Sequence, residues 1–217
     1  MSTQSNTVCG PGLFAPVVND GNNHVNIYSN AQTLVGRMAS NFQISNTPTE
    51  LGEFHTLEGL YHVLRITDYF VSIGKMSSHN WDELVELLPE VAELRACSGA
   101  DAIRMGRKYK QLAYGGTKYK PGAFSDAAEF IFVSALVNKL ASLTIRGVAI
   151  GNILAEYVVR GVPLTHYYVY VNKVTWPPFY DWLPKLIAEI VQHIDPYDVS
   201  FDTQAVIEKM RGNYGLA

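Results

Sequence analysis

Cysteine is scarce in this 217-residue chain: Cys9 and Cys97 are the two present, and neither sits in a C-x-x-C or Cys/His metal-ligand spacing. A disulfide-stapled scaffold and a thiolate metal site are therefore not expected, and no cofactor is called for. Charge is also thin, with 17% charged residues and a formal net charge of −3. That balance argues against a generally basic coat for nucleic acid, although local patches can still bind phosphate. Long apolar runs are missing too. The most apolar stretch, Phe130 to Val137, is broken by Ser134 and is far shorter than the ~20 residues needed to cross a bilayer. The opening residues Met1 to Asn6 lack the basic region and apolar stretch of a secretory signal. A reduced, cytoplasmic setting with no membrane partner is the expectation. There is no internal repeat and no low-complexity linker.

What the chain does have is 47% hydrophobic residues and thirteen tyrosines, the composition of a globular protein with a sizeable core. Residues 1–35 are rich in Asn, Ser, Gly and Pro and read as an irregular arm with one strand near His24 to Tyr28. Helix signals follow. Thr56 suits an N-cap for a helix to about Gly74, since Leu57, Leu60, Tyr61 and Leu64 repeat at helical spacing. Asn80 with Glu83 predicts a capped helix to about Ala96, and Ser98 with Asp101 predicts the next. Ser125 opens an apolar helix through about Leu143, and Gly147 to Gly161 reads as another buried helical stretch. His166 to Val171 has the aromatic and β-branched composition of a strand. A helix from about Tyr180 to His193, then one opened by Asp202 or Thr203 and ending near Gly212, complete a mainly α (α+β) chain.

Four segments in order between roughly residues 39 and 194 resemble the NADAR family, named for its link to NAD and ADP-ribose. Ser40-Asn41-Phe42 is similar to that family's S-N-F turn, and Phe54-His55-Thr56-Leu57-Glu58 to its aromatic-x-[ST]-x-E helix opening. Ala102-Ile103-Arg104-Met105-Gly106-Arg107 resembles its A-x-x-M-G-R stretch. The strand His166 to Val171, with Asn172, Lys173, Trp176 and the helix after Tyr180, resembles its strand, polar-W-G loop and closing helix. Pro177 stands where the family has glycine, and the glycine-rich loop that follows there is largely missing. The resemblance implies one helical domain over residues 36–217 and cleavage of an N-glycosidic bond, on riboflavin-pathway intermediates or on ADP-ribosylated guanine. By family analogy, a stand-alone copy suits a phage countermeasure to a toxin.

Such cleavage passes through an oxocarbenium-like sugar, so a carboxylate that stabilises positive charge or directs water is the central group. The resemblance assigns that role to Glu58, whose place in the first turn of its helix favours the ionised form. Arg65 lies two turns along the same face, with Tyr61 and His62 between. Many family members carry a lysine at that position, implied to form a Schiff base with the sugar. Arginine offers no such amine but suits phosphate, so Glu58 directs water alone, another lysine such as Lys173 substitutes, or catalysis is lost. His62 could donate to a ribose or phosphate, but a lone histidine on an otherwise apolar helix is more often packed and hydrogen-bonded. Asn41, Phe42, Tyr61, Arg104, Gly106, Arg107, Lys173 and Trp176 are the implied ligand-binding residues; Trp176 stacks on a base or merely anchors its loop.

From Arg104 to Lys120 no acidic residue interrupts the cations, and Tyr109, Tyr114 and Tyr119 are interleaved. Lys108, Lys110, Lys118 and Lys120 thereby fit a nucleic-acid backbone or pyrophosphate, or simply form a solvated surface. Three functions follow: a metal-independent glycosidase acting on an ADP-ribose-like nucleotide or ADP-ribosylated nucleic acid, an inactive binder of such a ligand, and a helical interaction protein.

Overall fold

The computed structural model describes residues 19–116, 122–170, 173–178, 181–198 and 200–214. Cys9, Lys118, Tyr119, Lys120, Val171, Asn172 and Tyr180 lie outside them. In chain order the elements are β1 (Val25–Asn26), α1 (Leu34–Ala39), β2 (Thr47–Thr49), β3 (Gly52–Phe54), α2 (Leu57–Ser72) and α3 (Trp81–Leu87). A 3-10 helix spans Pro89–Arg95, followed by α4 (Gly99–Ala113), α5 (Asp126–Ser142), β4 (Thr144–Ile145), β5 (Val148–Ala149) and α6 (Ile150–Val159). Then come β6 (Leu164–Thr165), β7 (Tyr168–Tyr170), β8 (Lys173–Thr175), α7 (Trp182–Val191), α8 (Thr203–Arg211) and a 3-10 turn over Gly212–Tyr214. The protein is mainly α with short strands, as its capping pattern and apolar spacing predict.

The chain divides into two compact units, Met1–Ser40 with Leu140–Val206, and Asn41–Lys139 with Ile207–Ala217. In the second, α2 packs along α4. Thr56 caps α2 by accepting from the Gly59 N–H at 3.3 Å, and Gly74 stops it with a left-handed φ of 71°. Leu57, Leu60, Val63, Leu64, Ile66 and Phe70 are buried, each contributing about 1.5–3 kcal/mol of apolar transfer. Gly59 is needed for close approach, because a Cβ there would stand 2.4 Å from the Leu94 carbonyl oxygen. In the first unit, β1 runs parallel to β6 with Val25 opposite Leu164, and α6 packs on α1 and α7.

Several boundaries differ from expectation. The helix capped by Asn80 stops at Leu87 rather than near Ala96, since Pro89 disfavours helical backbone at Leu88 and the chain tightens into the 3-10 segment. Residues 144–149 form the hairpin β4–β5 instead of opening a helix. Arg146 and Gly147 both take positive φ, 54° and 82°, the signature of a two-residue hairpin turn. The strand expected over His166 to Val171 is shorter: β7 starts at Tyr168 and pairs antiparallel with β8, His166 and Tyr167 lie outside any strand, and β6 precedes them. Helix α1, capped by the Thr33 hydroxyl, and the β2–β3 hairpin around Gly52 were not read from the sequence.

Candidate functional site

The site residues of the second unit are set by the α2–α4 contact. Two helices approach this closely only where one lacks a side chain, and Gly106 provides that gap: a Cβ there would stand 2.2 Å from the His62 ring. His62 lies one turn beyond Glu58 on α2, and its Nε2 stands 3.3 Å from Glu58 Oε1. The two side chains are 5% and 15% exposed, so this imidazole and carboxylate meet largely out of water. The Glu58 N–H donates to the Asn41 carbonyl at 3.1 Å, tying the Ser40-Asn41-Phe42 turn to the first turn of α2. Phe42 seats the start of α4, where a Cβ on Gly99 would come within 2.4 Å of its ring.

Arg65 closes the next turn of α2. Its guanidinium carbon is 3.7 Å from the Phe124 ring centroid and 5.2 Å from that of Tyr61. Nη1 donates to the Gly122 carbonyl at 2.9 Å. The stacked, anchored guanidinium is a fixed positive charge. Tyr61 in turn packs edge-on to Phe124 and His62, at 5.4 and 5.3 Å between centroids.

Lys110, one turn beyond Gly106 on α4, is half-buried, and long helical side chains lean toward the helix N-terminus, here toward the level of His62. Burial lowers its ammonium below the ordinary lysine value; Glu58 opposes that shift, while Arg65 and Arg107 reinforce it. Glu58, His62 and Arg65 therefore lie along α2 where it meets α4, with Lys110 of α4 in the field of Glu58 and Arg65, while Arg107 is exposed. The placement of Lys110 differs from its neighbours in the basic stretch. Lys108 is exposed, with its ammonium 5.3 Å over the Tyr109 ring. Arg104 is exposed and paired with Asp101 at 3.1 Å.

Polar satisfaction is incomplete at this site, as it is at Arg95 Nε and Asn152 Oδ1 elsewhere. Asn41 Oδ1, both ring nitrogens of His62, and Arg65 Nε are buried without a hydrogen-bond partner among the described residues. The 3.3 Å separation of His62 from Glu58 lacks the alignment of a hydrogen bond, so the His62 expected to be hydrogen-bonded is not. Buried polar atoms are satisfied in the great majority of cases, and a cluster of orphans calls for an explanation, of which a ligand site is one. Spacing had put His62 on the face of Glu58 and Arg65; nothing in the sequence marked Lys110 as half-buried while Lys108 is exposed.

In the first unit, Trp176 is half-buried with its ring 5.4 Å from that of Tyr167, and the backbone of Lys173 pairs with Tyr170. Among the described residues no group of three His, Cys, Asp or Glu is placed to hold a metal, and no helix is long and apolar enough to cross a membrane. No family model, curated protein or solved structure matches the chain.

Proposed function

We propose that the α2–α4 site hydrolyses an N-glycosidic bond, releasing an ADP-ribosyl or related ribosyl group from a nucleobase, in a cytoplasmic setting. The observation that carries this reading is a mostly buried carboxylate, Glu58, beside polar atoms without partners among the described residues and the cationic side chains of Arg65 and Lys110. Glu58 faces the anomeric carbon, stabilises the positive charge that develops as the base departs, and directs a water to it. Arg65, Arg107 and Lys110 neutralise phosphate, and the Asn41 amide oxygen accepts a ribose hydroxyl. Lys108, on the exposed side of α4, meets a nucleic-acid backbone when the modified base lies in DNA.

A second reading is favoured by the depressed amine of Lys110. There, Lys110 supplies the nucleophile that Arg65 cannot: its neutral amine bonds to the anomeric carbon as the base leaves with the bond's electron pair and takes up the amine's proton, the ring C–O bond then opens to give the imine, and water hydrolyses it to free the sugar and the amine. Incubation with NAD and with guanine-ADP-ribosylated DNA, followed by mass analysis with and without borohydride, separates the cases. Free base with no adduct supports water attack. A reducible adduct mapped to Lys110 supports the covalent route. Stoichiometric retention of ADP-ribose without any release would leave a binder and overturn both catalytic readings.

A further inference from the structure

His62 is hard to explain as a packing residue. Its side chain is 5% exposed, yet both ring nitrogens lack partners among the described residues, and each unsatisfied buried polar group costs about 1–3 kcal/mol. A leucine or phenylalanine would fill this place on α2 without that cost. The fold instead keeps the imidazole and accommodates it with Gly106, where any Cβ would collide with the ring at 2.2 Å. The ring thus occupies the space that a side chain at position 106 would take, and the Tyr61 ring stands 5.3 Å away at 71° to it. Glu58 Oε1 stands 3.3 Å from Nε2.

We propose that His62 is the positioning residue of Glu58, donating its Nε2 proton to Oε1 so that the carboxylate is held in one rotamer with Oε2 presented to the ligand. Hydrogen bonds of working sites are often long or misaligned when empty and tighten when the site fills, and a rotation of either side chain closes this one. A neutral imidazole carries a single proton, so donation to Oε1 specifies the Nε2–H tautomer and leaves Nδ1, against Gly106, without hydrogen. The charge-assisted bond formed is stronger than a neutral one, which offsets the cost of burying the ring. His62 touches no reacting atom in this scheme. It acts through Glu58, and the inference rests on Glu58 being the reacting carboxylate.

The test has a spectroscopic arm that does not depend on turnover. In the full chain labelled with 15N-histidine, His62 should carry a proton on Nε2. Its imidazole N–H resonance should move downfield on addition of ADP-ribose and should move or vanish in Glu58→Gln. A His62 with bare Nε2, or one whose ring resonances are indifferent to Glu58→Gln, overturns the proposal. In turnover, His62→Leu should lower kcat at least tenfold with KM changed less than twofold, while His62→Gln, which keeps a donor at similar reach, should recover most of the loss. Equal rates in His62→Leu and wild type would overturn it. Should His62→Leu fail to fold, the spectra of wild type and Glu58→Gln still decide. Should wild type release no base from any substrate, the glycosidase reading falls, and the tautomer and its response to Glu58→Gln still decide the His62–Glu58 pairing.

Discussion

Each unit of the protein buries a histidine within a polar cluster, and the two clusters differ in one respect. In the first unit the cluster around His24 is answered by its neighbours, although Asn152 Oδ1 elsewhere in that unit is buried without a hydrogen-bond partner among the described residues. Asp20, 7% exposed, accepts from the backbone N–H groups of Asn26 at 2.9 Å, Gln32 at 2.7 Å and Thr33 at 3.4 Å. His24 shares hydrogen bonds with Asn23 Oδ1 at 2.6 Å and the Tyr167 hydroxyl at 2.7 Å. The Asn26 amide both donates to and accepts from the Tyr167 backbone, at 3.0 Å each way. In the second unit, His62, Asn41, Arg65 and, away from the site, Arg95 keep polar atoms without partners among the described residues. Satisfied networks rigidify a fold, whereas half-satisfied ones spend stability and persist where something else completes them. The first cluster is scaffold and the second is the candidate site.

The comparison breaks most visibly at Asp20. Asp20→Ala strands three backbone N–H groups and should cost about 3 kcal/mol in urea unfolding; a loss under about 1 kcal/mol would remove the scaffold role. Glu58→Gln should do the opposite, leaving the unfolding midpoint within about 1 °C while lowering base release by about 10²-fold or more, roughly 2.7 kcal/mol in the barrier. Equal rates in the two proteins would remove Glu58 from the chemistry.

Gly106→Ala sharpens the contrast by overfilling the site side alone, and should destabilise by about 1–3 kcal/mol. Most of that loss should disappear when His62→Ala is added; additive losses in the double-mutant cycle would show that the collision is elsewhere. The smallest effect is an acid-limb one. Burial raises the Asp68 carboxyl, but hydrogen bonds from His79 at 2.7 Å and from Ser125 at 2.6 and 3.0 Å bring it below its ordinary value. A depressed carboxyl contributes stability above its unfolded value, near ~3.9, and loses it as pH falls through the folded one. Asp68→Asn should therefore lower stability at neutral pH and flatten its decline below about pH 4; parallel acid limbs in wild type and variant would discard that linkage.

Legibility followed the range of the interactions. Thr56, Asn80, Ser98 and Asp202 each cap a helix through a bond to an N–H three residues on, so local sequence suffices to place those starts. The hairpin at residues 144–149 was local too, but its Arg-Gly turn lacks the asparagine or aspartate that usually advertises positive φ. At the candidate site, the resemblance of Phe54 to Glu58 to a family helix opening singled out Glu58, and helical spacing then put Arg65 on its face. Lys110 was not legible, because an unbroken run of cations reads alike on every side of a helix until a neighbour buries one of them.

By itself, then, the sequence determined a mainly helical chain, where most helices begin, and which face of α2 carries Glu58, Tyr61 and Arg65. Each of these depends on residues within one or two helical turns. Only the tertiary structure decided that Val25 pairs with Leu164, that Asp20 is answered while His62 is not, and that Lys110 shares its field with Glu58. These depend on which surfaces exclude water together, and the gap at Gly106 that admits the His62 ring exists only once α4 lies against α2.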